Sequence, residues 1–434
     1  MDCMLENNTE LVSESGNRYR VLSLIGAGGQ GEVYKAEMNG KQYALKWYYP
    51  ETATPAQWKI LEELIAKGAP DATFLWPLEG IRGKAGESYG YIMPLRPERF
   101  KGVVQMMKRQ AEPSFAMLCR AAYNLTKGYE RLHKEGWSYR DISFGNVMID
   151  PDNGDIMICD NDNASPNDRK QDIAVYGTPR FMAPEIVTGK AMPSRNTDIY
   201  SLSVLLFYMF MLGHPLDGEQ EAKVHCMDPH AMYRLYGTNP VFVFDPGDKS
   251  NRPVKGMHDN VLIYWDIYPQ VIRDLFTRAF TEGLTYPNRR VTEKEWMDAF
   301  VNLMTGIIPC PSCGAEVFYD ENKTAMGVTH VCWRCGRTLQ YPVSLVVGKT
   351  RVLLNRDATI RSHNIREDYD MDTVVGHVVR NPANPQMWGI ENDSDTNWTY
   401  IRADGRQIPV APGKRVGIVK GARIDFGPMT GEYR

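Results

Sequence analysis

Three stretches near the start of the chain, residues 19–25, 31–38 and 41–48, read as strands, and within 32–36 β-branched and aromatic residues alternate with polar ones. Five longer stretches carry apolar residues at helical spacing: 57–67, 114–135, 197–212, 270–281 and 293–304. The longest apolar run covers residues 199–212, with Asp198 before it and Gly213-His214-Pro215 after it. A membrane span needs about 20 apolar residues, so this run predicts a helix buried in a protein core. From about residue 343 the pattern changes. Short strand-like pieces (373–379, 387–392, 398–401, 409–413 and 422–427) are cut by Gly, Asn and Pro, as in an all-β module.

Composition narrows the class. A chain of 434 residues suggests about three domains. With 43% hydrophobic and 24% charged residues it is a folded chain, and a formal net charge of -3 argues against a global nucleic-acid binder. The first 16 residues are acidic and polar and lack the basic start and apolar stretch of a secretory signal. Four of the 8 cysteines form two tight pairs and four are scattered, which suggests a reducing compartment and one metal site. The expected setting is cytoplasmic, with no membrane and no nucleic acid.

The candidate chemistry begins at Gly26-Ala27-Gly28-Gly29-Gln30-Gly31-Glu32-Val33, after a short apolar strand. Glycines there let backbone N–H groups approach phosphate oxygens without a Cβ in the way. A dinucleotide-binding fingerprint would open a helix at this point, whereas residues 32–36 read as a returning strand. A strand, a Gly-rich turn and a strand resemble the ATP lid of a protein kinase. Tyr43-Ala44-Leu45-Lys46 is similar to the third strand of that family, whose lysine holds the α- and β-phosphates. The helix over 57–67 then offers Glu62, or alternatively Glu63, as the lysine's ion-pair partner. Ser138-Tyr139-Arg140-Asp141-Ile142-Ser143-Phe144-Gly145-Asn146 resembles the catalytic loop. By that resemblance Asp141 orients the acceptor hydroxyl and takes its proton, and Asn146 binds magnesium. A hairpin with an Asn153-Gly154 turn follows and ends at Asp160, in the place of the family's metal-binding aspartate. Gly177-Thr178 and Ala183-Pro184-Glu185 resemble the end of an activation segment. Asp198 is similar to the residue that braces the catalytic loop, and Arg290 to the arginine that pairs with Glu185.

The sequence departs from the family in four places. Tyr139 replaces a histidine, and Ser143 stands where a lysine is usual. The metal motif reads Asp160-Asn161-Asp162, with an amide for the aromatic residue and a carboxylate for the glycine. Asp162 either adds a second metal contact or faces water. In the hinge, Met93 is placed at the back wall of the adenine pocket. Pro94 accepts from the adenine amine, an N–H near Arg96 donates to the ring, and Val33 and Ala44 sandwich the base. Arg140 is the cation that in this family receives a phosphate on the activation segment, with Ser165, Tyr176 and Thr178 as candidates.

Cys310-Pro311-Ser312-Cys313 and Cys332-Trp333-Arg334-Cys335 are two Cys-x-x-Cys pairs, each followed by Gly. Four sulfur ligands at this spacing suit a closed tetrahedral zinc site, with a disulfide or iron–sulfur role as the alternative. The C-terminal pattern resembles a forkhead-associated β-sandwich. His377 follows Gly376, but the Ser-x-x-His of phosphothreonine-binding members is missing from its expected place. The reading is thus α+β: a tail over 1–17, a bilobal protein kinase fold over 18–305, a zinc ribbon over 306–342 and an all-β sandwich over 343–434. The resemblance implies an ATP-dependent protein kinase using Mg2+ and acting on Ser/Thr hydroxyls of protein substrates, with Zn2+ in the ribbon. The alternative is a nucleotide-binding pseudokinase scaffold. By analogy of domain order, a phosphatase and a von Willebrand-type protein are further expected partners.

Overall fold

The computed structural model describes residues 3–83, 88–167 and 177–434. They fall into two compact units: residues 1–265 with 274–297, and residues 266–273 with 298–434.

The first unit opens with a six-stranded antiparallel sheet. Its strands are β1 (Glu10–Val12), β2 (Arg18–Ala27), β3 (Gly31–Met38), β4 (Lys41–Tyr48), β5 (Glu79–Arg82) and β6 (Tyr89–Pro94), in the spatial order β1-β2-β3-β4-β6-β5. Residues 3–17 were expected as a tail; instead β1 pairs with β2, and the backbone N–H groups of Met4 and Leu5 donate to Glu32 and Tyr34. Leu5 and Leu11 pack on the same sheet face as Tyr19, Val21 and Tyr34, so burial of a few apolar side chains holds down a segment whose composition is polar. Helix α1 (Pro55–Lys67) is capped by Thr54, whose hydroxyl accepts from Gln57 N–H, and it begins with a proline at the position where no N–H is needed. It buries Trp58, Leu61 and Leu64.

The helical part of this unit is organised on the helix Arg195–Met211, which is buried all round from Thr197 onward. An apolar helix of this kind packs in a core on every side. The helix Phe115–Lys134 packs beside it, and the hairpin Val147–Ile149/Ile156–Ile158 packs along the helix Phe115–Lys134. Gly154, at φ 72°, supplies the left-handed residue of that hairpin turn. Among the described residues, no helix is long and apolar enough to cross a membrane.

In the second unit, two short strands (Ile307–Pro309 and Glu316–Phe318) carry the first cysteine pair. A two-sheet antiparallel sandwich follows. One sheet has six strands and the other four, around a core that includes Leu345, Ile390, Trp398, Ile424 and Tyr433. The sequence pattern found the strands Trp388–Asn392 and Trp398–Ile401 to within a residue. It missed the outer hairpin Ser344–Val347/Thr350–Leu353 and the C-terminal strand Thr430–Tyr433 that pairs with it.

Gly31 is one of the glycines whose missing side chain the sheet requires. A Cβ there would sit 2.1 Å from the Trp47 carbonyl oxygen, whereas Gly28 has nothing within 4 Å. Gly31→Ala should therefore cost about 2 kcal/mol of stability and lower the melting temperature by several degrees, while Gly28→Ala leaves it near wild type. Thermal denaturation of the two variants checks this.

Candidate active site

Strand pairing sets the cleft. Lys46 of β4 lies opposite Val33 of β3 on one side and Tyr91 of β6 on the other, and Ala44 lies opposite Met93. Val33, Ala44, Met93 and Leu95 share one apolar cluster with Met157 and Cys159 of the hairpin. Apolar side chains of this kind suit the faces of a planar base. Gly26, Gly28 and Gly29 of the turn above have open space where a Cβ would lie, so a phosphate chain can approach the backbone there. In the hinge, Pro94 ends β6, and the Arg96 guanidinium donates to the Phe100 carbonyl at 3.0 Å.

The Lys46 ammonium is 6% exposed and paired twice, with Asp162 at 2.8 Å and Asp160 at 3.6 Å; it also donates to Gln30 of the Gly-rich turn at 2.9 Å. Burial works against its charge, but the two carboxylates prevail and its pKa is raised. Glu62, expected as its partner, does not reach it. Glu62 accepts from Trp58 Nε1 at 2.6 Å and lies 3.7 Å from Arg82, on the exposed side of α1. The one-turn spacing from Trp58 to Glu62 puts the carboxylate beside the indole N–H, and Arg82 stacks on the same indole face, so a local network satisfies Glu62 at the surface. Glu63, the alternative, is not among the groups bonded to Lys46 either.

Asp162 neither faces water nor stands open to a metal. Its side chain is fully buried and accepts from Lys46, Tyr48 and Tyr91. Burial pushes its carboxyl up, but Lys46 and the two phenols override this and hold it below the ordinary carboxylate range. Asp160 is the more open of the two, with 41% of its side chain exposed. Burial, followed by the neighbouring Asp162 and Asp141 charges, raises its pKa despite Lys46. A carboxylate held this way gains from a divalent cation. Asn161 is buried and donates to the Ile158 carbonyl at 2.9 Å, which lets an amide occupy an interior position.

Asn146 donates to both the Asp141 carbonyl and its carboxylate, at 2.8 and 3.1 Å. Thr178 donates to the other Asp141 oxygen through its N–H and its hydroxyl, each at 2.8 Å. Asp141 and Asn146 are therefore side by side, and Asp160 is near enough to Asp141 for their charges to interact. Asn146 and Asp160 are the residues that could hold a magnesium ion. Arg140 and Asp160 both have left-handed backbones, at φ 74° and 54°, which is costly for residues with a Cβ. Asp198 holds the first of these in place, accepting from the N–H groups of Tyr139 at 2.5 Å and Arg140 at 2.9 Å. Tyr139, in the histidine position, donates to the Cys159 carbonyl beside Asp160.

Two residues absent from the sequence reading complete this brace. His133 of the long helix bridges Asp198 at 3.1 Å and Glu293 at 2.6 Å, and Glu293 also pairs with Arg195. With a carboxylate at each ring nitrogen, both nitrogens donate and the imidazole is charged, so its pKa is raised against the effect of burial. These residues are 65 and 160 positions from His133, and no short-range pattern could have paired them. Gln30, Gln57, Tyr48 and Tyr91 were missed as well, although the Lys46-x-Tyr48 spacing on one strand does place two polar groups on one face. Glu185 and Arg290 pair at 2.8 Å as expected. Ser165, a phosphorylation candidate, is 1% exposed in a two-residue strand paired with Ser138; backbone pairing rather than solvent surrounds it. Tyr176, another candidate, lies outside the described residues.

The sequence profile of the protein kinase domain matches residues 19–264, more than half of the chain. The chain belongs to the protein kinase family. Among curated proteins, this kinase domain is similar to the DNA damage-responsive serine/threonine-protein kinase RqkA of Deinococcus radiodurans, 27% identical over 224 residues, which are 49% of this chain and 33% of that protein. A probable serine/threonine-protein kinase of Clostridium perfringens, CPE1738, is 24% identical over 302 residues, 68% of this chain and 42% of that one. The serine/threonine-protein kinase ste20 of Emericella nidulans is 36% identical over 103 residues, 23% of this chain and 11% of that one. The chain thus spans a third or less of RqkA and ste20.

In the second unit, the four sulfurs of Cys310, Cys313, Cys332 and Cys335 lie within 4.8 Å of one another. The Cys310–Cys335 and Cys313–Cys332 separations are 3.7 and 3.6 Å. A tetrahedron with zinc–sulfur bonds of about 2.3 Å has edges of about 3.8 Å, so the set fits that ion, whereas a disulfide needs about 2.05 Å. Gly314 and Gly336 both have φ 70°, and their N–H groups turn back to the Cys310 and Cys332 carbonyls. Backbone N–H groups of Cys313 and Ser312 hold the Cys310 thiol down at about 6, which favours the thiolate that binds metal.

The His133 bridge has a pH signature. Glu293 is held at about 2 despite burial, through bonds from His133 and Arg195, against about 4.5 when unfolded. Its contribution, on the order of 3 kcal/mol, is present above about pH 4.5 and is lost as pH falls toward 2. His133, with a raised folded-state value, contributes fully below about pH 6.5 and loses that contribution as pH rises through its folded pKa. Denaturant unfolding from pH 3 to 9 should show both limbs, and Glu293→Gln should flatten the acid one.

Proposed function

We propose that this chain is an ATP-dependent protein kinase that transfers the γ-phosphoryl group to Ser or Thr hydroxyls of protein partners. The observation that carries the reading is the meeting of Lys46, Asp141, Asn146 and Asp160 in one cleft between an apolar slot and a glycine-lined turn. Lys46 is aimed from β4 toward the position of the α- and β-phosphates. Asp141 has one oxygen bonded by Thr178 and the other by Asn146, so its plane is set before an acceptor arrives. In that position it orients the acceptor hydroxyl and takes its proton as the oxygen attacks the γ-phosphorus and the bond to the bridging oxygen breaks. Asn146 and Asp160 are the residues that would hold magnesium, which would supply positive charge to offset that of the phosphates. Ser143 supplies no cation, so electrostatic help with the transferred group would fall to Lys46 and to the metal ion that Asn146 and Asp160 would hold.

The kinase domain covers residues 18–305, and residues 306–342 form a ribbon closed by zinc on four cysteines, which leaves no open position for a substrate. Residues 343–434 form a forkhead-associated-like sandwich that serves protein interaction. The free thiols suit a cytoplasmic setting, and a phosphatase and a von Willebrand-type protein are the partners to which the resemblance of domain order points.

Incubation with radiolabelled MgATP should give label on the protein itself, and Asp141→Asn should lower incorporation by about 100-fold or more. Equal label in both proteins, or none in either, counts against the reading. Elemental analysis should find about one zinc per chain, and Cys310→Ser should release it and lower the unfolding midpoint of the C-terminal unit.

A further inference from the structure

The loop after Asp160 does more than end a metal motif. Asp162 sits in a short 3-10 turn (Asn161–Asn163), with its side chain fully out of solvent and three donors on its carboxylate: Lys46 Nζ at 2.8 Å, Tyr91 hydroxyl at 3.1 Å and Tyr48 hydroxyl. The donors come from two paired strands. Tyr48 is two residues beyond Lys46 and so on the same face of β4, and Tyr91 of β6 is the cross-strand partner of Lys46. All three therefore point at one spot, and that spot is filled by a carboxylate arriving from the metal-side loop.

The other connections of this loop agree. Helix α1 reaches it through Gln57, whose amide donates to the Asp162 carbonyl at 3.1 Å, while Glu62 of the same helix is engaged at the surface with Trp58 and Arg82. The Gly-rich turn reaches it through Gln30, which accepts from Lys46 and donates to Asn163.

We propose that Asp162 is the positioning residue for Lys46. The lysine that meets the nucleotide is then oriented by a carboxylate on the metal-side loop, and its placement does not depend on a carboxylate from α1. This rests on the kinase reading of the cleft. A buried ammonium cannot stay charged without a partner, and Asp160, the other candidate, is needed for magnesium. Asp162 can serve because the two phenols occupy its remaining acceptor sites, so it is satisfied without metal or water. The same arrangement ties the loop to the sheet, which keeps Asp160 facing the cleft.

The test compares MgADP binding by calorimetry with ATP turnover in wild type, Asp162→Asn, Glu62→Gln, Lys46→Met and the double variant Lys46→Met/Asp162→Asn. Circular dichroism confirms folding. Asp162→Asn keeps the shape and removes the charge. It should weaken MgADP at least tenfold and raise KM for ATP by a similar factor. Glu62→Gln should stay within about twofold of wild type in both. In the Lys46→Met background, Asp162→Asn should add less than twofold, since a residue acting through the lysine has nothing left to position. Near-wild-type binding by Asp162→Asn, a tenfold loss in Glu62→Gln, or an undiminished effect of Asp162→Asn without the lysine would each overturn the proposal. If Asp162→Asn does not fold, Tyr48→Phe asks the same question with both charges kept: about threefold weaker MgADP supports the proposal and unchanged binding overturns it. A wild type that binds MgADP without transferring phosphate sinks the kinase reading alone. An active wild type with an indifferent Asp162→Asn sinks only the positioning role.

Discussion

A lysine ammonium that leaves water must be met by negative charge, and much of the first unit is arranged around that requirement at Lys46. The strand that carries it is central in its sheet, so the side chain cannot reach bulk solvent. Two aspartates from one loop meet it, and two tyrosines complete the shell of the more buried one. The cost of desolvation is offset only because each buried oxygen and each N–H finds a partner. The other aspartate, Asp160, is left with 41% of its side chain exposed.

The second constraint is backbone strain beside Asp141. Arg140 and Asp160 hold left-handed conformations that residues with a Cβ adopt only when their surroundings insist. Asp198 insists through two N–H groups, and His133 passes the load to Glu293 and Arg195. The 139–146 loop is thus pinned from the core of the helical region, and the Asp141 carboxylate is fixed by Thr178 and Asn146. Rigid placement of this kind is what a phosphoryl transfer needs, because the protein contributes position and charge rather than covalent chemistry.

The cysteine set obeys a different logic. The short cysteine-bearing segment has a small apolar cluster made of Ala315, Val317 and Leu339 together with the cysteines themselves. So little burial leaves the segment marginal, and the energy that orders it has to come from elsewhere. Four sulfurs within 4.8 Å of one another, on turns closed by Gly314 and Gly336, provide a place for it.

Motifs whose parts are close in sequence were legible from the chain alone. The Gly-rich turn, the Asp141–Asn146 loop, the Asn153-Gly154 hairpin and the paired cysteines each rest on local backbone needs, such as a left-handed residue, a tight turn or a ligand spacing. The buried helix Arg195–Met211 was legible too, since an apolar run of that length has few other homes. Pairings between distant residues were not. The sequence offered Lys46 two glutamates on α1, and only the folded chain shows that Trp58 and Arg82 claim Glu62 while Asp162 arrives from 116 residues away. The polar start of the chain likewise reads as a tail until β2 offers it an edge to pair with. Local chemistry decides what a segment can do. Which charge it meets is set by the order of strands in the sheet and by which competitors are nearer, and both are properties of the tertiary structure.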